Sequence, residues 1–328
     1  MKVLISGSFW HGSLEESYAR AFESIGWEVV RFDWDQRAAK PGVIGKLLRY
    51  RIAEKVGDEL VSATGSTNPD FVFVIKGKWI NPKTLTALRR LSEERPLVNF
   101  NPDSPWEPEN SSKRLLESIP HYHHHFVWNS HLKHRFKEFG AKNVSFLPFA
   151  YDQKLHFPVP AAENSWQYDA VFLGTYSVHR DKLLSQVVGC KLAIWGNGWD
   201  RARHVPKDWL KGPAVYGEES TRLLSLAPAA INILRPQNAG SHNMRTFEIP
   251  ATRNALLTTR SDEQGFWFAE GKEMECFADP QELVEKIGLL RENPRHAQDV
   301  AQAGFERVRD ETYAKRARHV LDVLGFAS

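Results

Sequence analysis

Within "SHNMRTFEIPATRNALLTT", residues 241–259, a guanidinium and a carboxylate stand three residues apart as Arg245 and Glu248. A helix starting near Asn243 puts Met244, Phe247 and Ala251 on one stripe, with Arg245, Glu248 and Thr252 on the stripe beside it. The simplest use of such a pair is an i,i+3 ion pair. Other stretches carry groups suited to chemistry. In "FLGTYSVHRDK", Gly174 ends an apolar run and is followed by small and polar residues, then Arg180 and Lys182. A loop of that kind can hold a diphosphate through amides and cations, although Arg180 could also be a plain exposed helical arginine. His11 and Gly12 follow the first apolar run in "SGSFWHGS"; a histidine there can orient or deprotonate an acceptor hydroxyl, because it titrates near neutral pH. Asp103 in "NFNPDSPW" follows another buried run between prolines, as an acceptor contact or base, or as a turn residue bonding its own backbone. The run "HYHHH" puts His121, His123 and His125 on one face if it is a strand, but metal sites draw ligands from more than one element, so a hydrogen-bonded histidine ladder is the better reading and no metal is expected.

These residues need elements to position them. "KVLISG" reads as a buried strand, and "SLEESYARAFESIG" as a helix begun by a Ser13/Glu16 capping box and ended at Gly26. "WEVVRFDW" then restarts as a strand. The alternation continues through the basic helical stretch "KLLRYRIAEKVGDEL", whose Lys46–Lys55 part is most simply a solvated face, to "DFVFVIKG", the Asn81-capped "NPKTLTALRRL", "PLVNFN", "HHFVWN" and "NVSFLPF". At "HFPVPAAENSWQ", residues 156–167, periodicity vanishes, which marks a linker. A second series follows, "YDAVFLG", "KLAIWG", "PAVYG", "AAINILRP", "ALLTT" and "EMECF", and three helical patterns close the chain. Strands separated by helices imply parallel sheets. The expected architecture is α/β: two Rossmann-like domains, 1–157 and 158–328, their sheets facing across a cleft, with the last helix able to pack back on the first domain. Ligands of such sheets bind beyond the carboxyl ends of the strands.

With 328 residues the chain is too long for one ordinary core. A net charge of +3 is too mild for a dedicated nucleic-acid binder, yet compatible with a phosphate-bearing ligand. Cys190 and Cys276 show neither metal nor disulfide spacing, which points to a reducing cytoplasm. The N-terminus lacks an apolar signal region, and no stretch approaches the roughly 20 apolar residues of a membrane span, so a soluble protein is expected.

The pattern "RTFEIPA" before an apolar strand, with "FAEGKEMECFADPQEL" and "AGFERV" after it, resembles the CgeB-like spore-maturation glycosyltransferases. The first half is similar too, through "GSLEESYARAFESIGWEV", "NPDSPW" and "IPHYHHHFVWN". The resemblance implies a GT-B fold with the acceptor near the N-terminal half and a nucleotide-sugar donor on the C-terminal half. In the broader family-four-like transferases a Glu at the start of this helix bonds the donor ribose, and Glu248 matches it. A second Glu normally precedes it by eight residues; here that position is Gly240, which leaves the donor sugar and the stereochemistry open. Ser241, His242 and Asn243 are the substitute donor contacts, because a glycine lets amides approach a phosphate and a helix start favours anions. Arg245 then faces the diphosphate with its fork of donors, and Arg180 neutralises the leaving nucleoside diphosphate. Backbone near Trp195 to Gly198 and Val215 to Gly217, with Gly198 and Tyr216, meets the nucleobase.

The expected function is metal-independent sugar transfer from a nucleoside-diphosphate sugar, with no cofactor besides that co-substrate and with retention of configuration as the lean. Its acceptor is open among glycan, protein, metabolite and modified nucleic acid. The competing readings are a nucleotide-sugar epimerase or hydrolase of the same fold and a non-catalytic nucleotide-sugar-binding module. A nicotinamide-dependent dehydrogenase fits less well, since "GSFWHGS" lacks the full G-x-G-x-x-G spacing.

Overall fold

The computed structural model describes residues 1–37, 46–91, 95–159 and 166–326, with the side chains of 46–49 left aside. The chain divides into two compact units, one of residues 1–148 together with 313–328, the other of residues 149–312. The sequence-derived boundary at 157/158 lies nine residues further on. The loss of periodicity that suggested it begins at His156, several residues after the second unit has started, and Tyr151 and Leu155 before it are already buried.

The first unit holds a six-stranded sheet in the order β2-β1-β3-β4-β5-β6, every pairing parallel. Its strands are β1 (Lys2–Gly7), β2 (Glu28–Asp33), β3 (Phe71–Ile75), β4 (Leu97–Asn101), β5 (His124–Val127) and β6 (Val144–Phe146). All residues of β3, a continuous apolar strand, and of β4, which also buries Asn99 and Asn101, are buried, as central strands of a parallel sheet covered on both faces must be. The helix Leu14–Ser24 starts at Ser13, whose hydroxyl accepts the Glu16 amide at 3.1 Å. Only half of the expected capping box forms, because the Glu16 carboxylate turns to Arg31 instead, at 3.0 Å. Asn81 caps the helix Pro82–Leu91 through the Thr84 amide at 2.8 Å. The final helix, Tyr313–Leu324, is part of this unit.

The second unit holds β7 (Ala170–Leu173), β8 (Leu192–Trp195), β9 (Leu210–Gly212), β10 (Ala230–Asn232), β11 (Leu256–Thr259) and β12 (Glu275–Phe277). Their order is β12-β11-β10-β7-β8-β9, again all parallel. The chain thus builds outward from β7 to one side and returns at β10 to build the other. That reversal makes the carboxyl ends of β7 and β10 a topological switch point. Phe172, Leu184, Ile194, Ile231, Leu257 and Phe277 pack in its core.

Two expected elements differ. "PAVYG" is not a strand: β9 is the preceding "LKG", because Pro213 has no N–H for a ladder, and Tyr216 instead sits just before the helix Gly217–Leu224. In "HYHHH" the strand begins only at His124, and His121 closes a 3₁₀ turn, so no three-histidine face exists. Half of the proposed linker, residues 160–165, lies outside the described residues.

Candidate functional site

Arg180 ties the switch point together. It lies in the first turn of the helix Val178–Leu184, which Ser177 caps, and only 8% of it is exposed. From there its Nη1 donates to the Thr175 carbonyl, just past β7, at 2.8 Å. Its Nη2 donates to the Ile233 carbonyl, just past β10, at 2.9 Å. One side chain therefore bolts the two loops that flank the switch point. The plain alternative of an exposed helical arginine does not hold. Burial first, and then the positive charges of Arg235 and Arg245, pull the guanidinium down to about 9. Three arginines thus crowd one end of the sheet in partial repulsion, which an anion would relieve.

The helix Arg245–Ala251 carries the other charges. Arg245 Nη1 donates to Glu248 Oε2 at 2.8 Å, so the i,i+3 ion pair does form. It is not a solvated surface pair: the Glu248 side chain is 8% exposed, whereas that of Arg245 is 26% exposed. The free end of the carboxylate, Oε1, lies 3.7 Å from His156 Nε2. His156 is itself buried, and its Nδ1 accepts the Asp152 amide at 3.3 Å. Burial lowers the imidazole pKa below its usual value, against the pull of Glu248. A neutral ring whose Nδ1 accepts carries its proton on Nε2, the atom beside Glu248.

The segment before this helix does not offer side chains to a ligand as expected. Ser241 and His242 are fully buried. Glu263 takes hydrogen bonds from Ser241 Oγ at 2.5 Å and from His242 Nδ1 at 2.7 Å, while His242 Nε2 accepts the Phe149 amide at 3.2 Å. Asn243 exchanges amide hydrogen bonds with Asn232, at 2.9 and 3.1 Å, and accepts the Thr246 amide at 3.3 Å. In the first turn of the helix the amides of Phe247 and Glu248 both reach Met244 O at 3.0 Å. Gly240 supplies a turn at φ +76. The side chains expected as donor contacts are instead hydrogen-bonded within the unit.

The loops after β7 and β8 cross closely. The Gly174 amide donates to Trp195 O at 2.9 Å, and Trp199 Nε1 donates back to Gly174 O at 2.8 Å. A Cβ on Gly196 would sit 2.0 Å from that same oxygen. Gly198, at φ +82, precedes a 3₁₀ turn, and Tyr216 is 37% exposed. Beside these loops Tyr176, Lys182, Asp200, Arg201 and His204 line a cavity of about 740 Å³.

In the first unit His11 is exposed in the turn after β1, next to Gly12 at φ +86. Asp103, just past β4, pairs with Lys76 just past β3 at 3.1 Å. Both candidates stand at the carboxyl edge of the sheet, as does Glu15, whose buried carboxyl accepts the Ser8 amide at 3.3 Å and is pushed up by burial. His123, His124 and His125 of the "HYHHH" run make internal hydrogen bonds. His123 Nδ1 accepts the Leu97 amide at 2.8 Å, and His125 Nε2 meets Ile119 O at 2.8 Å; burial lowers His125 to about 4. Among the described residues no group of three or more His, Cys, Asp and Glu is arranged to hold a metal ion, and no helix is long and apolar enough to cross a membrane.

Arg235 and His156 were not singled out in the sequence. Arg235 carried a signal of its own, a cation directly after an apolar run, in "NILRP". His156 carried none, because it sits in an aperiodic segment.

A family model described as glycosyl transferase-like matches residues 180–322, which include Arg180, Arg235, Arg245 and Glu248. No curated protein matches the chain. Among solved structures, a sucrose-phosphate synthase from Thermosynechococcus elongatus superposes with a TM-score of 0.68 at 11% identity, over 98% of each chain. HepE of Anabaena, in complex with UDP-glucose, gives 0.65 at 12% identity over 99% of each. A glycosyltransferase from Rickettsia africae gives 0.62 at 10% identity, over 98% of this chain and 97% of its own. Two α/β units, each built on a six-stranded parallel sheet, make this the GT-B glycosyltransferase fold.

Proposed function

We propose that the protein is a glycosyltransferase that moves a sugar from a nucleoside-diphosphate sugar to an acceptor hydroxyl or amine, without a metal ion. The observation that carries this reading is the grouping of Arg180, Arg235 and Arg245 at the switch point of the second unit, next to the buried Glu248. Cations fixed there supply the charge a departing diphosphate needs. The acceptor atom attacks the anomeric carbon, the bond from that carbon to the diphosphate oxygen breaks, and the acceptor proton leaves to a base or to the diphosphate. Glu248 grips the ribose, and retention of configuration is the outcome implied by its likeness to family-four-like transferases. On the first unit, His11 and Asp103 are the groups for acceptor contact and proton removal. HepE, a protein of the same fold, was crystallised with UDP-glucose, which supports a nucleotide-sugar donor.

Calorimetry with UDP, ADP, GDP and CDP tests this directly. At least one should bind in the presence of a chelator, and Arg245→Ala should weaken it roughly tenfold, the scale of one charged hydrogen bond. If none of the four binds and no nucleotide sugar is turned over, the reading fails. Release of free sugar or of an epimer without any acceptor would redirect it to hydrolysis or epimerisation.

A further inference from the structure

We infer that His156 is a ribose-specificity residue: its Nε2–H and Glu248 Oε1 together bind one hydroxyl of the nucleotide's ribose, the imidazole donating and the carboxylate accepting. The inference rests on the nucleotide-sugar reading above and adds to it a residue from a segment that no element of regular structure requires.

Geometry limits what this pair can do. The 3.7 Å between Nε2 and Oε1 is too long for a hydrogen bond between them. A single oxygen set to one side can nevertheless lie about 2.8 Å from both. Each of the other polar atoms already has a partner. Nδ1 takes the Asp152 amide, and Glu248 Oε2 takes Arg245 Nη1. Among the described residues no hydrogen bond reaches His156 Nε2. The side chains remain 10% and 8% exposed, so a small group can reach them.

The chemistry selects a hydroxyl. Only a group that both accepts and donates satisfies an N–H and a carboxylate oxygen at once; hydrogen and methoxy do not. The charged and titratable groups facing His156 are Glu248 and Arg245 on the helix Arg245–Ala251 and Asp152 on its own segment. Burial outweighs both carboxylates and keeps the ring neutral, so the contact is a donor–acceptor pair instead of a closed ion pair.

The test compares UDP, ADP, GDP and CDP with their 2′-deoxy and 3′-deoxy counterparts on the full chain by calorimetry. The wild type should prefer the ribonucleotide to one of the two deoxy forms. His156→Phe, similar in size but without the N–H, should bind the ribonucleotide about fivefold more weakly and leave affinity for that deoxy form unchanged. His156→Gln, which keeps a donor, should recover most of the loss. Equal discrimination by wild type and His156→Phe overturns the inference while leaving the nucleotide-sugar reading intact. Failure of the wild type to bind any of the four overturns that reading and this inference with it. If His156→Phe does not fold, the ¹⁵N signal of the wild-type Nε2 decides. It should move with the ribonucleotide and not with the deoxy form; movement with both, or with neither, overturns the inference.

Discussion

Glu263 shows how much of a binding site is held by residues that never touch a ligand. Its Oε2 accepts from Ser241 and from His242 at once, and both of those side chains are fully buried. Replacement by alanine takes this acceptor away from a buried imidazole N–H and a buried hydroxyl. Glu263→Ala should therefore cost about 2–3 kcal/mol in chemical denaturation, the price of two buried donors. A loss under about 0.5 kcal/mol, the ordinary range of a surface change, would refute that role. Nothing at the level of spacing revealed it, because Glu263 lies 21 residues from His242 in the chain and reads as one more acidic residue at a helix start. The pair Arg245 and Glu248 was legible, since three residues in a helix fix their neighbourhood. What spacing could not decide is burial, and burial separates a solvated ion pair from a carboxylate held against His156.

At the scale of elements, loop crossings at the strand ends set the shape of the second unit's binding edge. The turn after β8 passes directly over the turn after β7, with Gly196 against the Gly174 carbonyl. A methyl group at Gly196 has nowhere to go, because the atom it would meet, at 2.0 Å, belongs to the backbone. Gly196→Ala should push the two loops apart, lower the melting temperature and weaken nucleotide binding in calorimetry. Wild-type values for both would show that the crossing yields easily. Most strands and helices here were legible from period and punctuation alone: Ser13 and Asn81 each cap the helix that follows them. "PAVYG" was misread because its apolar residues look like a strand, while pairing with β8 is made by Leu210 and Gly212 just before it. Strand identity in a three-residue edge is decided by partners, and partners are not local.

At the scale of the whole molecule, the chain finishes where it began. Residues 313–328 belong with residues 1–148, and Tyr313, Ala317, Val320 and Leu321 are all buried there. Tyr313 packs on Tyr18 with ring centres 5.1 Å apart, and Arg316 Nε donates to Pro148 O at 3.1 Å. A chain ending at Thr312 loses these four buried side chains, of which Val320 and Leu321 contribute about 1.5–3 kcal/mol each. It should melt at least about 10 °C lower by differential scanning calorimetry; an unchanged melt would show that the last helix is dispensable. Sequence by itself determined the alternation of strands and helices, the parallel sheets and the chain order of the charged groups, because periodicity and capping are written within a few neighbouring residues. Only the tertiary structure decided that Arg180 spans β7 and β10, that Arg235 joins it, that Ser241 and His242 face inward and that His156 meets Glu248. Each of those pairings joins residues many positions apart, and the free energy that fixes them, burial with satisfied hydrogen bonds, exists only once the sheet has formed.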